Sequence, residues 1–218
     1  MRREDRMAKS TGTNPWLKIW VEPKKTIRSI VGTNARYGLV ALCAIYGLPL
    51  ALNLAQSFAL VEVIPVWSVL VGALIVSAFL GIVGISISAW LLTVTGRWIG
   101  GKGKFDHVRA AVAWSNVPNF VTILMWVALF GVFGMQVLNR NFSEMQFVGY
   151  QAGTLFLVML VESIVSVWGF VILLNTLAEV QGFSLWRALI NVIIPFVALV
   201  VIIWGLGWLM SGMGTIQN

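Results

Sequence analysis

The sequence has few of the side chains from which disulfides, metal centres and catalytic triads are built. Cys43 is the only cysteine and His107 the only histidine among 218 residues. One cysteine excludes an intrachain disulfide framework, and one cysteine with one histidine supplies too few soft ligands for a metal centre. A Ser-His-Asp arrangement would need His107 and its chain neighbour Asp106, and adjacent loop residues do not have that geometry. We therefore expect no enzyme activity, no cofactor and no bound metal.

Charged side chains are also scarce. Asp, Glu, Lys and Arg make up 11% of the chain and hydrophobic residues 59%, whereas charged residues make up about 25% of an average soluble domain. One soluble domain of this length cannot bury so much apolar surface, and this excludes the soluble class. The same composition excludes a disordered chain. What remains is a multi-pass integral membrane protein.

Long runs with little or no charge mark the membrane spans. A helix needs about 20 apolar residues to cross about 30 Å of hydrocarbon. The runs of that length are Tyr37–Val61, about Val66–Thr95, Ala110–Asn139, Met145–Ala178 and Ala188–Asn218. We therefore predict an all-α integral membrane protein with five transmembrane helices, kinked at Pro49, Pro118 and Pro195.

The basic residues orient these spans. Of the 15 Lys and Arg residues, nine lie in residues 1–36, four in residues 97–109, and one is Arg187. Five spans place all of these on one side of the membrane and leave only Arg140 on the other. The positive-inside rule then predicts a cytoplasmic amino end and a carboxyl end outside.

Residues 1–36 are predicted to form a basic cytoplasmic tail, and residues 37–218 the membrane domain. Apolar residues of the tail recur at helical spacing, namely Trp16, Trp20, Ile27, Ile30 and Val31. This pattern predicts an interfacial amphipathic helix with aromatic anchors. Such a helix serves either as a juxtamembrane anchor or as an element that senses membrane curvature or lipid composition.

The sequence also matches itself at an offset of 78 residues. The matched pairs are Ser88 with Ser166, Trp90 with Trp168, Phe105 with Phe183, Arg109 with Arg187, and Ala110 with Ala188. Spans two–three and four–five would then be a parallel repeat, unless the matches are a coincidence of apolar composition. Repeats build transporters with a site between the halves, and they also build scaffolds.

Glu162 is the one acidic residue inside a predicted span. A carboxylate in hydrocarbon costs at least about 2.5 kcal/mol, so it must be paired, protonated or in contact with water. One interpretation is a proton- or ion-linked site or a partner contact, and the other is a protonated side chain hydrogen-bonded within the bundle. Its candidate neighbours by residue type are Asn53, Gln56, Ser163 and Ser166.

Arg109 and Arg187 stand at the starts of two predicted helices. A cation at the amino end of a helix opposes the helix dipole, so these residues are not there for helix stability. They are either topology signals or, with Phe105 and Phe183, a cytoplasmic docking surface.

Two glycine-containing patterns have simple interpretations. Residues 96–103 approach a phosphate-binding loop, but Gly103 replaces the hydroxyl that would bind Mg²⁺, so we interpret them as a flexible turn. The small residues Ala73, Ser77 and Gly81 predict close helix packing, either within the chain or between two copies of it.

Three segments together resemble the Yip family of membrane proteins, which interact with Ypt/Rab GTPases, and in particular its bacterial branch. They are NPWLKIWVEPKKTIR before the first span, GKFDHVRAAVAWSNVP after the second, and LAEVQGFSLWRALINVIIP leading into the fifth. The resemblance implies five spans with a cytoplasmic amino end and, from eukaryotic members, roles in vesicle trafficking and membrane shaping. The chain has a shorter amino region than those members and lacks their DLYGP signature, and no functional residue is carried over.

We expect a non-enzymatic membrane-organising or adaptor protein of the bacterial cytoplasmic membrane rather than of the ER or Golgi. Its expected partners are anionic lipid headgroups, another membrane protein or a second copy of itself, and not nucleic acid. The candidate contact residues are Trp16, Trp20, Phe105, Arg109, Phe183 and Arg187. The alternative is a small solute or ion transporter or channel that uses Glu162 at the repeat interface.

Overall fold

The computed structural model describes residues 14–214, with backbone alone for residues 206, 207 and 209–214. Residues 1–13 of the predicted tail and residues 215–218 of the predicted fifth span lie outside the described residues. Within them the chain forms helices and turns and no strand. The α-helices are α1 (Pro15–Lys18), α2 (Pro23–Thr33), α3 (Leu39–Ser57), α4 (Leu60–Val63), α5 (Val66–Trp98), α6 (Phe105–Ser115), α7 (Asn119–Phe133), α8 (Tyr150–Gln181) and α9 (Leu185–Gly214).

Five segments are long and apolar enough to cross a membrane. They are Leu39–Ser57, Val66–Trp98, Phe105–Leu138, Tyr150–Gln181 and Leu185–Gly205. The predicted all-α class and the five spans are therefore confirmed. The ends of the first four spans differ from the prediction by at most five residues. The fifth begins three residues earlier than predicted, at Leu185, so that Arg187 falls in the first turn of α9. The orientation of the termini and the repeat stay predictions.

The third span consists of α6, α7 and the 3-10 helix Gly134–Leu138, and the turn that joins α6 to α7 ends at Pro118. Proline has no N–H to donate, and the residue before it avoids helical backbone. The amides of Asn116 and Val117 bond to carbonyls three residues back, as in a tightened last helical turn. Pro118 thus interrupts its span, whereas α3 and α9 continue through Pro49 and Pro195.

Helices α3 and α5 make the most extensive contact in the bundle, and glycine permits their close approach. A Cβ on Gly47 would collide with the Ser77 carbonyl, and a Cβ on Gly81 would collide with the Cys43 carbonyl. Ala73, Ser77 and Gly81 are all buried. Packing within the chain, one of the two interpretations of this small-residue stripe, is therefore confirmed.

The buried apolar side chains form one cluster toward each end of the bundle. The first joins the amino-terminal helices to α6 and α8 and includes Ile19, Ile27, Ile30, Trp114 and Leu177. The second lies around α3, α7 and the segment that follows α7, and includes Leu52, Trp126, Phe133, Leu138 and Phe142. Much of the outer surface between them is apolar, as a bilayer requires.

The amphipathic helix of the tail is present as α2, but its apolar face is turned toward protein. Ile27 and Ile30 are 0% and 2% exposed, and α2 contacts α6 and α8. An amphipathic pattern gives the same sequence signal whether its apolar face meets lipid or another helix. This segment is thus a fixed part of the bundle.

Candidate functional site

An ion pair fixes α2 to the end of α8. The Arg28 Nε donates to the Glu179 Oε1 at 2.6 Å across 151 positions of sequence. The hydrogen bond to Glu179 and the charge of that carboxylate raise the pKa of Arg28 above its ordinary value. The same helix buries Ile27 and Ile30, so apolar contacts and an ion pair together hold α2 to the bundle.

Trp114 is the centre of the aromatic packing at this end. Its side chain is fully buried, the Trp16 ring lies 5.0 Å away at a tilt, and the Tyr37 ring stacks on it at 6.0 Å. Trp20 packs against the same cluster. Trp16 and Trp20, both predicted partner or lipid contacts, are half-buried within the chain.

Arg109 takes part in a small network of its own. Its Nη2 donates to the Asp106 Oδ1 at 2.7 Å, and its guanidinium lies 5.3 Å from the centre of the Phe105 ring. Arg36 approaches the other Asp106 oxygen at 3.8 Å. The Arg109 side chain is only 18% exposed. Arg109 and Phe105 therefore already have partners within the chain, whereas Arg187 is exposed.

Two exposed tryptophans at the same end were not singled out from the sequence. Trp98 is 71% exposed and Trp186 is 70% exposed. Each is adjacent in sequence to an exposed arginine, Arg97 or Arg187. A tryptophan beside an arginine at the end of a span is typical of the membrane interface, and this signal was available in the sequence.

The glycine-rich loop after α5 accommodates the side chain of Gln181. Gln181 is 1% exposed; its Oε1 accepts from the Gly103 amide at 3.0 Å, and its Nε2 donates to the Leu92 carbonyl at 3.1 Å. A Cβ on Gly96, Gly101 or Gly103 would collide with this amide. The glycines therefore serve the packing of Gln181, and the Gly103 amide that a phosphate would need already has an acceptor.

A second buried amide extends this hydrogen-bond network to α9. Asn191 is 0% exposed, its Nδ2 donates to the Leu92 carbonyl at 3.1 Å, and its Oδ1 accepts from the Thr95 hydroxyl at 2.6 Å. The Leu92 carbonyl thus accepts hydrogen bonds from Asn191 and from Gln181. Helices α5, α8 and α9 are joined through one carbonyl, a junction that the residue pattern does not predict.

Together these contacts define one end of the bundle, formed by residues 14–36, 97–109 and 179–187, which we call the basic end. Exposed cations concentrate there, namely Lys25, Arg28, Arg36, Arg97, Lys102, Lys104 and Arg187. Its three acidic residues, Glu22, Asp106 and Glu179, are each paired with a cation. An excess of exposed positive charge remains.

Glu162 lines a cavity of about 470 Å³ among α3, α7 and α8, toward the other end of the bundle. Asn53, Gln56 and Ser166, three of its four candidate neighbours, line the same cavity. Ser163, the fourth, is exposed and donates to the Met159 carbonyl. Asn119 and Thr122 at the start of α7 complete the polar wall. Among the described residues, the Glu162 carboxylate has neither a hydrogen bond nor an ion pair.

Residues 14–214 bring no three His, Cys, Asp or Glu side chains to within metal-binding distance of one another. Five helices long and apolar enough to cross a membrane define the class, a multi-pass integral membrane protein. A comparison with known families matches residues 17–207 to the Yip1 domain. The chain belongs to the Yip1 domain family, as the three segments predicted. Searches of curated proteins and of solved structures match nothing to this chain.

Proposed function

We propose that this protein is a non-enzymatic, membrane-organising protein of the bacterial cytoplasmic membrane and that its basic end binds anionic lipid headgroups. The observation that carries the proposal is the coincidence, at one end of the bundle, of exposed cations with the exposed Trp98 and Trp186. Tryptophan prefers the headgroup level, and Lys and Arg beside it attract anionic lipids.

Four of these cations are the strongest candidates for the lipid contact. Arg97, Lys102, Lys104 and Arg187 are exposed, and none of them is in an ion pair with another described residue. A Lys or Arg near an anionic surface contributes about 1 kcal/mol, which is about a fivefold preference for each charge. These unpaired charges at the end of α5, in the loop that follows it and at the start of α9 therefore favour anionic over zwitterionic lipid.

The packing of α2 against the bundle supports an ordered basic surface rather than a mobile basic tail. Its attachment through the Arg28–Glu179 ion pair and through buried isoleucines keeps the backbone that carries Lys25 beside α6 and α8. A preorganised surface loses less conformational freedom on binding than a mobile tail does. Organisation of lipid around the bundle, or recruitment of another membrane protein to it, follows from such a surface.

Electron spin resonance of spin-labelled lipids tests the proposal. The protein is reconstituted with spin-labelled phosphatidylglycerol or phosphatidylcholine, and the immobilised fraction of each lipid is measured. We expect a preference for phosphatidylglycerol that falls when Arg97, Lys102, Lys104 and Arg187 are all changed to glutamine, and that weakens at high salt because exposed charges are screened. An unchanged preference in this variant would exclude the basic end as the lipid site.

A small solute or ion transporter or channel is the second candidate function. The observation that favours it is the cavity lined by Glu162, which lies directly beside the interruption of the third span at Pro118. Discontinuous helices beside an intramembrane site are typical of transporters. Flux into proteoliposomes, compared between the wild type and Glu162→Gln, tests this candidate.

A further inference from the structure

The cavity beside Glu162 has polar walls in which every side-chain amide already donates a hydrogen bond to the protein. Three amide side chains line it, from Asn53 and Gln56 on α3 and from Asn119 on α7. Each amide has an NH₂ that donates and an oxygen that accepts. Which end of each amide remains free decides what the cavity can bind.

The donors on α3 bond to backbone carbonyls. The Asn53 Nδ2 donates to the Pro49 carbonyl at 2.9 Å, and the Gln56 Nε2 donates to the Val137 carbonyl at 2.8 Å. A carbonyl oxygen can only accept, so these partners fix which end of each amide is NH₂. The amide oxygens of Asn53 and Gln56 receive no hydrogen bond from a described residue.

The donor of Asn119 is fixed by a chain of two bonds. The Asn116 Nδ2 donates to the Val112 carbonyl at 2.7 Å, which leaves the Asn116 Oδ1 as an acceptor. The Asn119 Nδ2 donates to that oxygen at 3.1 Å. The Asn119 oxygen, like those of Asn53 and Gln56, receives no donor from the described residues.

The remaining lining groups complete a site rich in acceptors. Glu162 adds a carboxylate, Thr122, Ser143 and Ser166 add hydroxyls that either donate or accept, and no Lys, Arg or His lines the cavity. Trp126 and Phe142 also line the cavity, and aromatic rings attract cations. The size of the cavity, about 470 Å³, is that of a small-molecule site rather than of a single ion or water.

We propose that this cavity binds a small organic ammonium ion, with the ammonium group at Glu162 and the amide oxygens, and its apolar part against Trp126 and Leu129. A primary ammonium has three N–H donors and no acceptor, which complements a wall of free oxygens. An anion would meet the Glu162 carboxylate and no cationic side chain, with only hydroxyls and the second N–H of an amide to donate to it. The inference deepens the second candidate function and rests on the same cavity. Binding is measured without flux, so a result against ammonium binding can be distinguished from a result against transport.

The test is isothermal titration calorimetry on the purified protein in detergent, with butylammonium as the probe and butanol, butyrate, Na⁺ and K⁺ as comparisons. We expect saturable binding of butylammonium alone. Glu162→Gln removes the charge and is expected to weaken binding at least about tenfold, since a hydrogen bond to a charged group is worth more than a factor of ten. Glu162→Asp keeps the charge and is expected to retain binding.

Glu144→Gln is the matched control, because Glu144 is an exposed carboxylate that does not line the cavity. It should bind butylammonium as the wild type does. The proposal would be overturned if butylammonium did not bind, if butanol bound equally well, or if Na⁺ or K⁺ alone bound. Full binding by Glu162→Gln would also overturn it. Binding that depends on Glu162 in a protein without flux would keep the site and exclude transport.

Discussion

Replacing Gln181 by leucine is predicted to destabilise the bundle although the side-chain volume is nearly conserved. The substitution leaves the buried Gly103 amide without its acceptor, whereas the Leu92 carbonyl keeps Asn191 as a donor. An unsatisfied buried amide costs about 1–3 kcal/mol and the second lost bond about 1 kcal/mol, so we expect a loss of about 2–4 kcal/mol. Equilibrium unfolding in mixed micelles with increasing dodecyl sulfate, followed by far-ultraviolet circular dichroism, measures it.

The same experiment includes a matched control and a test of the contact itself. Gln146→Leu changes an exposed glutamine and is expected to stay within about 0.5 kcal/mol of the wild type. A Cβ on Gly103 would lie 2.8 Å from the Gln181 Oε1 and 3.1 Å from Val108. Gly103→Ala should therefore cost less in a Gln181→Ala background than alone. A Gln181→Leu cost no larger than that of Gln146→Leu, or strictly additive effects with Gly103→Ala, would refute the role assigned to Gln181.

Two further predictions concern the packing and the orientation of the spans. Gly47→Ala forces α3 away from α5 and is expected to cost about 1–3 kcal/mol, whereas Gly72→Ala, whose Cβ meets open space, should be neutral or stabilising in the same unfolding assay. In a variant without Cys43, a cysteine in place of Lys104 should react with an impermeant thiol reagent only from the cytoplasmic side, and one in place of Ser143 only from outside. Equal destabilisation by the two alanines would contradict the packing, and reversed labelling would contradict the orientation.

The five spans were predictable because they require only long apolar runs, which can be recognised without knowing any particular contact. Crossing a bilayer requires a long apolar run, and charges are excluded from such runs so strongly that their positions alone delimit five helices. Pro118 was predicted as a kink, like Pro49 and Pro195, since proline cannot donate to a helix. The structure has a break between two helices there instead. The same rule gave no means of telling Pro118 from Pro49 and Pro195, which the helices pass through.

The residues that hold the basic end together were harder to predict, because their partners are remote in sequence. Gln181 and Asn191 are near helix ends, where a polar residue is ordinary, and only the fold brings both to the Leu92 carbonyl. The apolar face of α2 was recognised, but the pattern does not state whether lipid or protein covers it. The sequence did contain one indication of the contact, namely three glycines close together after α5. Glycines are expected where a buried side chain such as Gln181 occupies the space that their Cβ atoms would take.

Part of the lining of the cavity could be predicted from the sequence. Asn53, Gln56 and Ser166 were candidates for Glu162 by residue type, because a carboxylate inside a membrane needs polar neighbours. Asn119 and Thr122 were missed, since their approach to Glu162 depends on how α7 leaves the interruption at Pro118. The spacing of Asn119 and Thr122 in the sequence does not show that they line the cavity; only the three-dimensional arrangement of the helices does.

The most direct test of the proposed function compares two single substitutions, each of which removes one exposed arginine from a different end of the bundle. Arg187 is exposed at the basic end and Arg140 is exposed in the segment between α7 and α8 at the other end. The preference of the reconstituted protein for phosphatidylglycerol over phosphatidylcholine is measured for Arg187→Gln and for Arg140→Gln. We predict a fall of up to about fivefold for Arg187→Gln and no change for Arg140→Gln. Equal effects of the two substitutions, or an effect of Arg140→Gln alone, would contradict lipid binding at the basic end.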